Sequence, residues 1–380
     1  MTGRTMALLL NEEQRMLKDA AREFLAGHAP VAQLRRLRDE RDPLGYCPET
    51  WRAMVELGWT GVLVPEAQGG LAFGHVGMGQ ILEEGGRTLT ASPLFATAVL
   101  GVSALVLAGT EAQRNALLPA IVAGELTLAP AFDESPRHDP SAVVTRLQSR
   151  GDGFVLDGIK RFVPDGHSAD RLLVSARLGD TDRIALALVD RSAPGVEVQR
   201  VVMADSRNSA EVRFQNVQLA AGDLLSGVED AADTLQRMFE IGNTHLAAEL
   251  LGLSLEVFEH TVEYLNTRKQ FGVLIGSYQG LQHRAAHLYS ELELLRSLVL
   301  KALQALDTDA GEAPSLASLA KAKAGEVAAL ATNEAVQMHG GVGMTDELDI
   351  GFFLKRARVA EQLYGDHRYH LQRYAALCGY

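Results

Sequence analysis

The chain has 380 residues, of which 47% are hydrophobic and 22% charged, an ordinary composition for a globular protein with a large core. Its formal net charge of −12 argues against a surface that binds nucleic acid non-specifically. The two cysteines, Cys47 and Cys378, fit neither a disulfide framework nor a metal site. We therefore expect a cytoplasmic protein that binds no metal ion.

The N-terminal third is predicted to be helical. Apolar residues recur at helical spacing from Leu8 to Ala26, whereas residues 27–47 are charged and interrupted by Pro30 and Pro43. Further helical patterns cover 48–57, 78–86, 94–108 and 111–122. No uninterrupted apolar core marks a signal peptide, and no apolar run approaches the ~20 residues that span a bilayer.

The pattern changes near Gly124. From Leu126 to about Leu225, short β-type runs alternate with Gly, Asp and Pro, which predicts a small and mostly antiparallel β-domain. Long helical patterns then cover 230–268, 278–306, 314–339 and 346–376, as expected of a four-helix bundle. The predicted fold class is α+β, and its three domains are an N-terminal helical domain at 1–124, a β-domain at 125–228 and a helical bundle at 229–380.

Local motifs for common chemistries are missing from the sequence. The chain contains no G-x-S-x-G, no P-loop and no strand–GxGxxG–helix unit. His283 and His287 stand four residues apart on one helical face, but no acidic third ligand follows in register, so we discard a metal site. Acidic residues that suit a general base are numerous, and no local pattern selects one.

The most unusual stretch is QMHGGVGMT, from Gln337 to Thr345. Its glycines leave a patch of backbone without side chains, which allows a ligand or another backbone to approach closely. On local pattern alone, a glycine-rich helix end is the simpler interpretation. An earlier stretch, RKQFG at 268–272, followed by Gln279, favours the ligand interpretation instead.

Five stretches, in the right order along the chain, resemble the acyl-CoA dehydrogenase family of flavoproteins. They are ELGWTGVLVPEAQGG (56–70), GTEAQRNALLPAIVAGEL (109–126), GDGFVLDGIKRFVPDGHSAD (151–170), YLNTRKQFGVLIGSYQGLQHRAA (264–286) and QMHGGVGMTDEL (337–348). The resemblance spans essentially the whole chain. It implies an N-terminal helical domain, a barrel-like middle domain and a C-terminal four-helix bundle that forms a dimer.

The resemblance also implies an FAD site between the middle domain and the bundle, with the adenine half of FAD reaching a neighbouring subunit. Arg268 would pair with the diphosphate, Phe271 would pack against the cofactor, and Gln279 would donate a hydrogen bond to it. Gln337, Gly340 and Gly341 would contact the adenosine and diphosphate of the FAD held by the partner chain. Phe162 lies in the middle-domain segment that meets the flavin.

The family reaction is α,β-desaturation of an acyl-CoA thioester. A carboxylate removes a proton from Cα while a hydride leaves Cβ for the flavin, so the carboxylate needs a pKa near the working pH. The resemblance implies an acyl-CoA substrate, electron-transfer flavoprotein as the electron acceptor, and a homodimer or tetramer. The acyl chain, whether from a fatty acid or a sterol side chain, is not indicated by the sequence.

Two segments of the middle domain depart from the family pattern. The flavin-facing loop, usually close to TEPGAGSD, is FDESPRHD at 132–139. The segment that usually reads Trp-Ile-Thr-Asn is FVPD at 162–165. Pro164 replaces the threonine that meets the flavin, and proline has neither a side-chain donor nor a backbone N–H.

The catalytic base is also displaced from its family positions. In medium-chain-type relatives a Glu follows a Tyr, and here Gly365 follows Tyr364, with Asp366 one place later. A one-residue slip of this loop would bring Asp366 to Cα, and Asp366 is our first candidate for the base.

Isovaleryl-type relatives place the base on the first bundle helix, at the position of Gly242 here. Glu249 and then Glu240 are the next candidates on this helix. They are nine residues apart, about 180° around the helix axis, so they do not face one site. Glu249 stands in an apolar run, where a buried ion pair between helices is an equally good interpretation. The resemblance offers another role for Glu240, which is to approach the CoA arm, where relatives often have an acid.

Two alternatives to a self-sufficient dehydrogenase apply if none of these carboxylates reaches Cα. In the first alternative, the chain is a non-catalytic or half-site subunit of a heteromeric acyl-CoA dehydrogenase. The resemblance includes bacterial relatives of this kind, which are built from unlike subunits and act on sterol side chains. Alternatively, it is another flavin enzyme on the same fold, such as an acyl-CoA oxidase or a flavin monooxygenase, because a fold does not dictate its chemistry.

Overall fold

The computed structural model describes residues 8–380. The expectation of no signal peptide rests partly on residues 1–7, which lie outside the described residues. The N-terminal helices are α1 (Glu12–His28), α2 (Val31–Asp39), α3 (Pro48–Glu56), α4 (Gly74–Arg87), α5 (Val102–Ala108) and α6 (Glu111–Val122). A π-helical segment, Phe95–Gly101, leads into α5. Asn11 and Thr110 begin α1 and α6 with capping boxes, which satisfy backbone N–H groups of the first turn.

Helix α2 lies in the stretch that the sequence pattern treats as a charged connection broken by proline. Pro30 precedes the first turn, where a missing N–H costs nothing, and so it begins the helix rather than breaking it. Leu34 and Leu37 are buried on one face, while the charged residues remain on the other. The amphipathic pattern is short, which explains why charge and proline obscured it.

The middle of the chain forms one curled seven-stranded sheet in the order β1-β4-β2-β3-β7-β6, with β5 paired to β4. The strands are β1 (Leu128–Ala131), β2 (Arg146–Arg150), β3 (Gly153–Pro164), β4 (Arg171–Leu178), β5 (Ile184–Asp190), β6 (Val196–Val202) and β7 (Asn208–Ala220). β4 runs parallel to β1 and β2, and the other pairs are antiparallel. The predicted mostly antiparallel β-domain is confirmed.

The C-terminal part is helical. It consists of α7 (Ala232–Thr267), a short hairpin of β8 (Lys269–Gln270) and β9 (Val273–Leu274), α8 (Gln279–Asp307), α9 (Ala313–His339), α10 (Ile350–Gln362) and α11 (His367–Leu377). α7 is the central helix, and its small buried residues, such as Ala247 and Ala248, pack against the alanines of α9 in one core. α4 crosses α7 closely at Gly252, where a Cβ would stand 1.7 Å from the carbonyl oxygen of Glu83.

The last helical stretch differs from the prediction of one element at 346–376. It is divided into α10 and α11 by a turn at 363–366, in which Tyr364 has φ +56° and Gly365 has φ +106°. Asp366 begins α11, because its side chain accepts a hydrogen bond from the N–H of Tyr369. The turn reverses the chain beside α7.

Transitions between elements lie near the predicted domain limits. The last N-terminal helix ends at Val122 and β1 begins at Leu128, while β7 ends at Ala220 and α7 begins at Ala232. The α+β fold class is confirmed, and the three-domain division stays a prediction. Within residues 8–380, no helix combines the length and apolarity that crossing a bilayer requires.

Candidate active site and cofactor surface

A cavity of about 340 Å³, here called the cleft, lies between the β-domain and the helical parts. It is lined by the loop after β1, the end of β3, the approach to β7, one face of α10 and the segment before α5. Its polar and charged lining residues include Ser92, Asp133, His138, Asp165, Arg207, Asn208, Arg356, Arg358 and Gln362. Phe95, Phe162, Pro164 and Leu363 are among the apolar ones.

Strained backbone presents the end of β3 to the cleft. The pairing of β3 with β7 shifts register between Lys160 and Val163, which marks a β-bulge. Phe162 and Asp165 adopt φ values of +52° and +55°, a conformation that non-glycine residues rarely take. Such strain clusters at functional sites, and here it turns both side chains toward the cleft.

Buried charge pairs hold the loop after β1. Lys160 Nζ donates to Glu134 Oε1 at 2.6 Å and to the carbonyl of Phe132 at 3.0 Å. Burial lowers the pKa of Lys160 to about 8, although Glu134 opposes this shift. His138 Nδ1 lies 2.8 Å from Asp133 Oδ1. The loop that would face a flavin is thus held by hydrogen bonds and ion pairs, and it offers an imidazole and a carboxylate.

An ion-pair network lies behind the cleft. Arg356 makes a two-bond pair with Glu249, at 2.9 and 2.8 Å, and a third bond to Asp205 at 2.9 Å. Arg207 Nη2 is 2.9 Å from Glu249 Oε1, but its N–H bonds are not aligned for a hydrogen bond. Burial alone would raise the pKa of Glu249, but Arg207 and Arg356 outweigh it and lower that pKa to about 2.

These contacts give the three base candidates structural partners. Glu249 forms the buried ion pair that was the alternative interpretation of this residue. Glu240 accepts a 2.6 Å hydrogen bond from Arg373, and Asp366 caps α11. None of the three lines the cleft. Their assignment as the base stays a prediction, and the geometry gives it no support.

The two family positions for the base converge on Tyr364, and both are glycine. A Cβ at Gly242 would stand 3.7 Å from the Tyr364 ring and 3.1 Å from Leu100. A Cβ at Gly365 would stand 2.5 Å from the ring of Tyr369, closer than side-chain carbons approach. A side chain at position 365 therefore requires the side chains of Tyr369 and His370 on α11 to shift.

Aromatic rings fill the space between these two glycines. Tyr364 is buried, and its ring centroid lies 5.4 Å from Phe239, 6.2 Å from His138 and 6.4 Å from Phe132. Burial, and then the charges of nearby carboxylates, raises the pKa of Tyr364 well above its usual value. This hydroxyl therefore stays protonated and is not a base at neutral pH.

Six of the seven predicted cofactor residues lie on one exposed surface at an end of the bundle, here called the outer surface. They are Arg268, Phe271, Gln279, Gln337, Gly340 and Gly341. Tyr264 stacks on His339 at 4.4 Å and Arg284 pairs with Glu334 at 2.6 Å, which brings the ends of α7, α8 and α9 together. The seventh residue, Phe162, lies apart in the cleft.

The outer surface suits the adenosine diphosphate part of FAD. The Arg268 side chain has no ion pair within residues 8–380, so its guanidinium is free for a diphosphate. Phe271 is 92% exposed, as expected of a ring that packs on something outside this chain. A Cβ at Gly340 or Gly341 would meet nothing within 4 Å, so a cofactor has open access to this backbone.

The cleft suits a flavin less well. Pro164 offers no N–H, Phe162 offers no polar atom, and the buried side chain of Phe132 packs among other rings. The carboxylates of Asp133 and Asp165 line the same cleft. The residues present do not fit a flavin in this chain's own cleft.

Several cleft residues carried no signal of their own in the sequence. Arg207 and Arg356 look like ordinary surface cations, and only the fold brings them to Glu249, 107 positions before Arg356. Asp165 belongs to the FVPD segment, which departs from the family pattern. That departure drew attention to Pro164 rather than to Asp165. Within the described residues, no group of three His, Cys, Asp or Glu side chains is placed to hold a metal ion.

Family models match most of the chain: "Acyl-CoA dehydrogenase, N-terminal domain" at residues 11–125, "middle domain" at 133–217 and "C-terminal domain" at 232–376. The fold and matched domains define an FAD-dependent oxidoreductase. The chain belongs to the acyl-CoA dehydrogenase family, and FAD is the cofactor of this family. The predictions of family, enzyme class and cofactor are confirmed.

Relatives of known name match over nearly the full length. The chain is 29% identical to mitochondrial isovaleryl-CoA dehydrogenase of Pongo abelii, covering 93% of this chain and 85% of the relative. It is 30% identical to acyl-CoA dehydrogenase FadE12 of Mycobacterium tuberculosis (strain ATCC 25618 / H37Rv), covering 92% of each. The structure of a variant of the Tcur3481-Tcur3483 steroid ACAD is 30% identical, with a TM-score of 0.87, covering 97% of this chain and 98% of that one.

Proposed function

We propose that the chain is a half-site subunit of a heteromeric FAD-dependent acyl-CoA dehydrogenase. The assembly converts an acyl-CoA thioester to the trans-2-enoyl-CoA. This chain contributes the outer surface to an FAD whose flavin lies in the cleft of an unlike partner subunit, and that partner also supplies the base. The observation that carries the proposal is glycine at both base positions, with the side chains of Tyr369 and His370 packed against position 365.

The reaction explains how this observation supports the proposal. Desaturation removes a proton from Cα, so a group with a suitable pKa must stand beside that carbon. FAD, when bound, supplies the acceptor for the hydride from Cβ. In this chain Glu249, Glu240 and Asp366 are all engaged in ion pairs or capping, and the space between Gly242 and Gly365 is filled by the Tyr364 ring.

The substrate class follows from the relatives rather than from the cleft. The Tcur3481-Tcur3483 assembly, at 30% identity, is a steroid ACAD with two components in its name. A sterol side-chain thioester is therefore the first substrate to test, ahead of branched and straight fatty acyl-CoA. We infer a cytoplasmic location from the cysteine content and electron-transfer flavoprotein as the acceptor from the family.

A second candidate is a self-sufficient dehydrogenase that uses Asp165. This carboxylate lines the cleft and accepts no hydrogen bond from residues 8–380. Burial raises the pKa of Asp165 to about 7, although Arg207 and Arg356 oppose the shift. Proton abstraction requires a carboxylate with a pKa near neutrality. Asp165 meets this requirement and therefore supports the second candidate.

The first test uses the purified chain alone. We expect no FAD to remain bound after gel filtration, and no bleaching of added FAD when steroidal, branched or straight acyl-CoA is supplied without oxygen. One FAD per chain, bleached by an acyl-CoA, would overturn the half-site proposal. Loss of that bleaching in Asp165→Asn, but not in Asp139→Asn, would then support the second candidate.

The second test adds an unlike family subunit that carries Glu at a base position. We expect turnover and one FAD for each pair of unlike chains. In that complex, Glu→Gln at the partner's base position abolishes turnover, whereas Asp366→Asn and Asp165→Asn here leave it within about twofold. Using oxygen and electron-transfer flavoprotein as alternative acceptors separates a dehydrogenase from an oxidase or a monooxygenase.

A further inference from the structure

A second and much smaller void lies between α7, α9 and α11, and His138 lines both this void and the cleft. Its volume is about 10 Å³, close to the smallest space that holds one water molecule. The polar residues that line it include Asn243 from α7, Ser318 from α9, and His370 and Arg373 from α11. Asn243, Ser318 and His370 take no part in the proposed function.

Two buried polar atoms at this void lack partners. Asn243 Oδ1 and His370 Nδ1 have no hydrogen-bond partner in the described part of the chain. Asn243 is 3% exposed and His370 is 2% exposed, so bulk solvent does not reach them. An unsatisfied buried polar atom costs about 1–3 kcal/mol, so two beside one void call for an occupant.

The hydrogen bonds already made identify both atoms as acceptors. Asn243 Nδ2 donates to the carbonyl of Tyr364 at 3.3 Å, which leaves its oxygen facing away from that carbonyl. His370 Nε2 lies 3.0 Å from the same carbonyl, which only accepts, so this nitrogen carries the proton. Burial, and then the charge of Lys321, lowers the pKa of His370 to about 2, so the ring is neutral and Nδ1 has a lone pair.

The occupant must therefore donate two hydrogen bonds from a single small molecule. Arg373 cannot serve, because its nitrogens already donate to Ser318 Oγ, the carbonyl of Pro314 and Glu240. A cation would stand beside Arg373, whose charge already disfavours a proton on His370. Ser318 Oγ accepts from Arg373 and keeps its own hydrogen, which provides a donor to the occupant's oxygen.

We propose that this void binds one water molecule, which donates to Asn243 Oδ1 and His370 Nδ1 and accepts from Ser318 Oγ. Through this water, Asn243 and His370 are positioning residues for Tyr364. The water fixes the orientation of the amide and the imidazole, and these two groups hold the Tyr364 carbonyl. A buried water with three partners is typical of globular proteins.

The backbone of the turn at 363–366 explains why the Tyr364 carbonyl must be held in place. Tyr364 has φ +56°, which is unfavourable for a bulky residue, so the surroundings must hold it. Lys321 Nζ secures the flanking carbonyls of Glu361, Leu363 and Gly365, at 3.0, 2.7 and 2.9 Å. The Tyr364 carbonyl is left to Asn243 and His370. The water, Asn243 and His370 thereby keep the Tyr364 ring between Gly242 and Gly365.

The direct test needs no substitution. A crystal structure of the full chain that resolves buried waters should show one water about 2.6–3.2 Å from Asn243 Oδ1 and His370 Nδ1. The ¹⁵N spectrum of His370 should show a neutral ring protonated at Nε2, with Nδ1 accepting a hydrogen bond. An empty void, a bound cation, or a proton on Nδ1 would overturn the proposal.

The variant test separates the water from general packing. Asn243→Leu removes the acceptor, and we expect the water to be lost, the His370 Nδ1 resonance to move, and the Gly365 amide to exchange roughly tenfold faster. Ser254→Ala removes another buried hydroxyl of α7, far from the void, and should leave these signals unchanged. An unchanged His370 resonance in a folded Asn243→Leu protein would refute the water bridge. If Asn243→Leu does not fold, Ser318→Ala tests the third partner, whose loss should also move the resonance.

Discussion

The outer surface and the cleft differ in how exposed their charged side chains are and in whether those side chains have partners. On the outer surface, Arg268, Phe271 and the two open glycines are exposed and unpaired, as a site that awaits a ligand should be. Behind the cleft, Arg356 and Glu249 are buried and satisfied by each other. Arg207 and Arg356 lower the pKa of Glu249 to about 2, so this carboxylate is poorly suited to take a proton. The comparison separates exposed side chains that are free to bind a ligand from buried side chains that already have partners.

The largest expected effect tests whether the charges behind the cleft are structural. Arg356→Met would leave Glu249 and Asp205 buried without a counter-charge, and we expect the free energy of unfolding to fall by about 3–5 kcal/mol. Chemical denaturation measures this change. Arg358→Met is the matched control, because Arg358 is exposed, and it should shift stability by less than about 0.5 kcal/mol. Equal effects of the two substitutions would contradict the structural role.

The next effect tests the outer surface. Arg268→Ala removes a charge-assisted contact worth about 1.5–3 kcal/mol, so FAD should bind roughly 10- to 100-fold more weakly in the assembly that holds it. Fluorescence titration with FAD measures the change. Arg284→Ala removes a nearby cation that already pairs with Glu334, and its effect should be smaller. If Arg268→Ala retains full affinity, the outer surface is not a diphosphate site.

The pH dependence of stability tests the cleft. Because the pKa of Asp165 is raised to about 7 in the folded chain, the folded state binds more protons than the unfolded state between pH 3.8 and 7. Ionised Asp165 therefore costs stability above pH 7, and the cost disappears as the pH falls through 7 toward 3.8. Asp165→Asn should stabilise the protein by about 1–3 kcal/mol at pH 8 and by much less near pH 4.

A control with the opposite sign accompanies this measurement. Hydrogen bonds from Ser141 lower the pKa of Asp139, so ionised Asp139 favours the folded state at neutral pH. Asp139→Asn should therefore bring no gain in stability at pH 8, as urea unfolding at the two pH values would show. A gain for both substitutions would point to net charge rather than to the burial of Asp165.

The smallest expected effect on stability is also the most selective test. Gly341→Ala adds a methyl group that meets nothing in the folded chain, so unfolding should change by less than about 0.5 kcal/mol. The same methyl group lies where FAD would approach, so FAD affinity should fall. Gly351→Ala, in surroundings that are equally open but within α10, should leave FAD affinity unchanged and raise stability by at most about 1 kcal/mol. Unchanged FAD affinity in Gly341→Ala would place the cofactor elsewhere.

The order of helical, β and helical parts was predictable because it depends on local periodicity. Leu8–Ala26 and the long C-terminal stretches carry strong helical patterns, and the β-runs between turn residues are equally local. The motifs around Arg268 and Gly340 identified the family for the same reason. The outer surface comes from a few short stretches of the chain, and a sequence motif can record each of them.

The cleft was not predictable, because residues far apart in the chain decide it. Whether Glu249 is a base or an ion-pair partner depends on Arg207 and Arg356, 42 and 107 positions away along the chain. The break between α10 and α11 rests on Lys321, Asn243 and His370, which come from three different helices. No local pattern records such contacts.

The sequence by itself determined that this chain belongs to a family of FAD-dependent acyl-CoA dehydrogenases and that its base positions are glycines. Only the tertiary structure decided which partners Glu249, Glu240 and Asp366 have: the two glutamates are buried against arginines, and Asp366 caps α11. The physical reason is that a carboxylate's chemistry is set by its burial and its partners, and both are properties of the packed molecule.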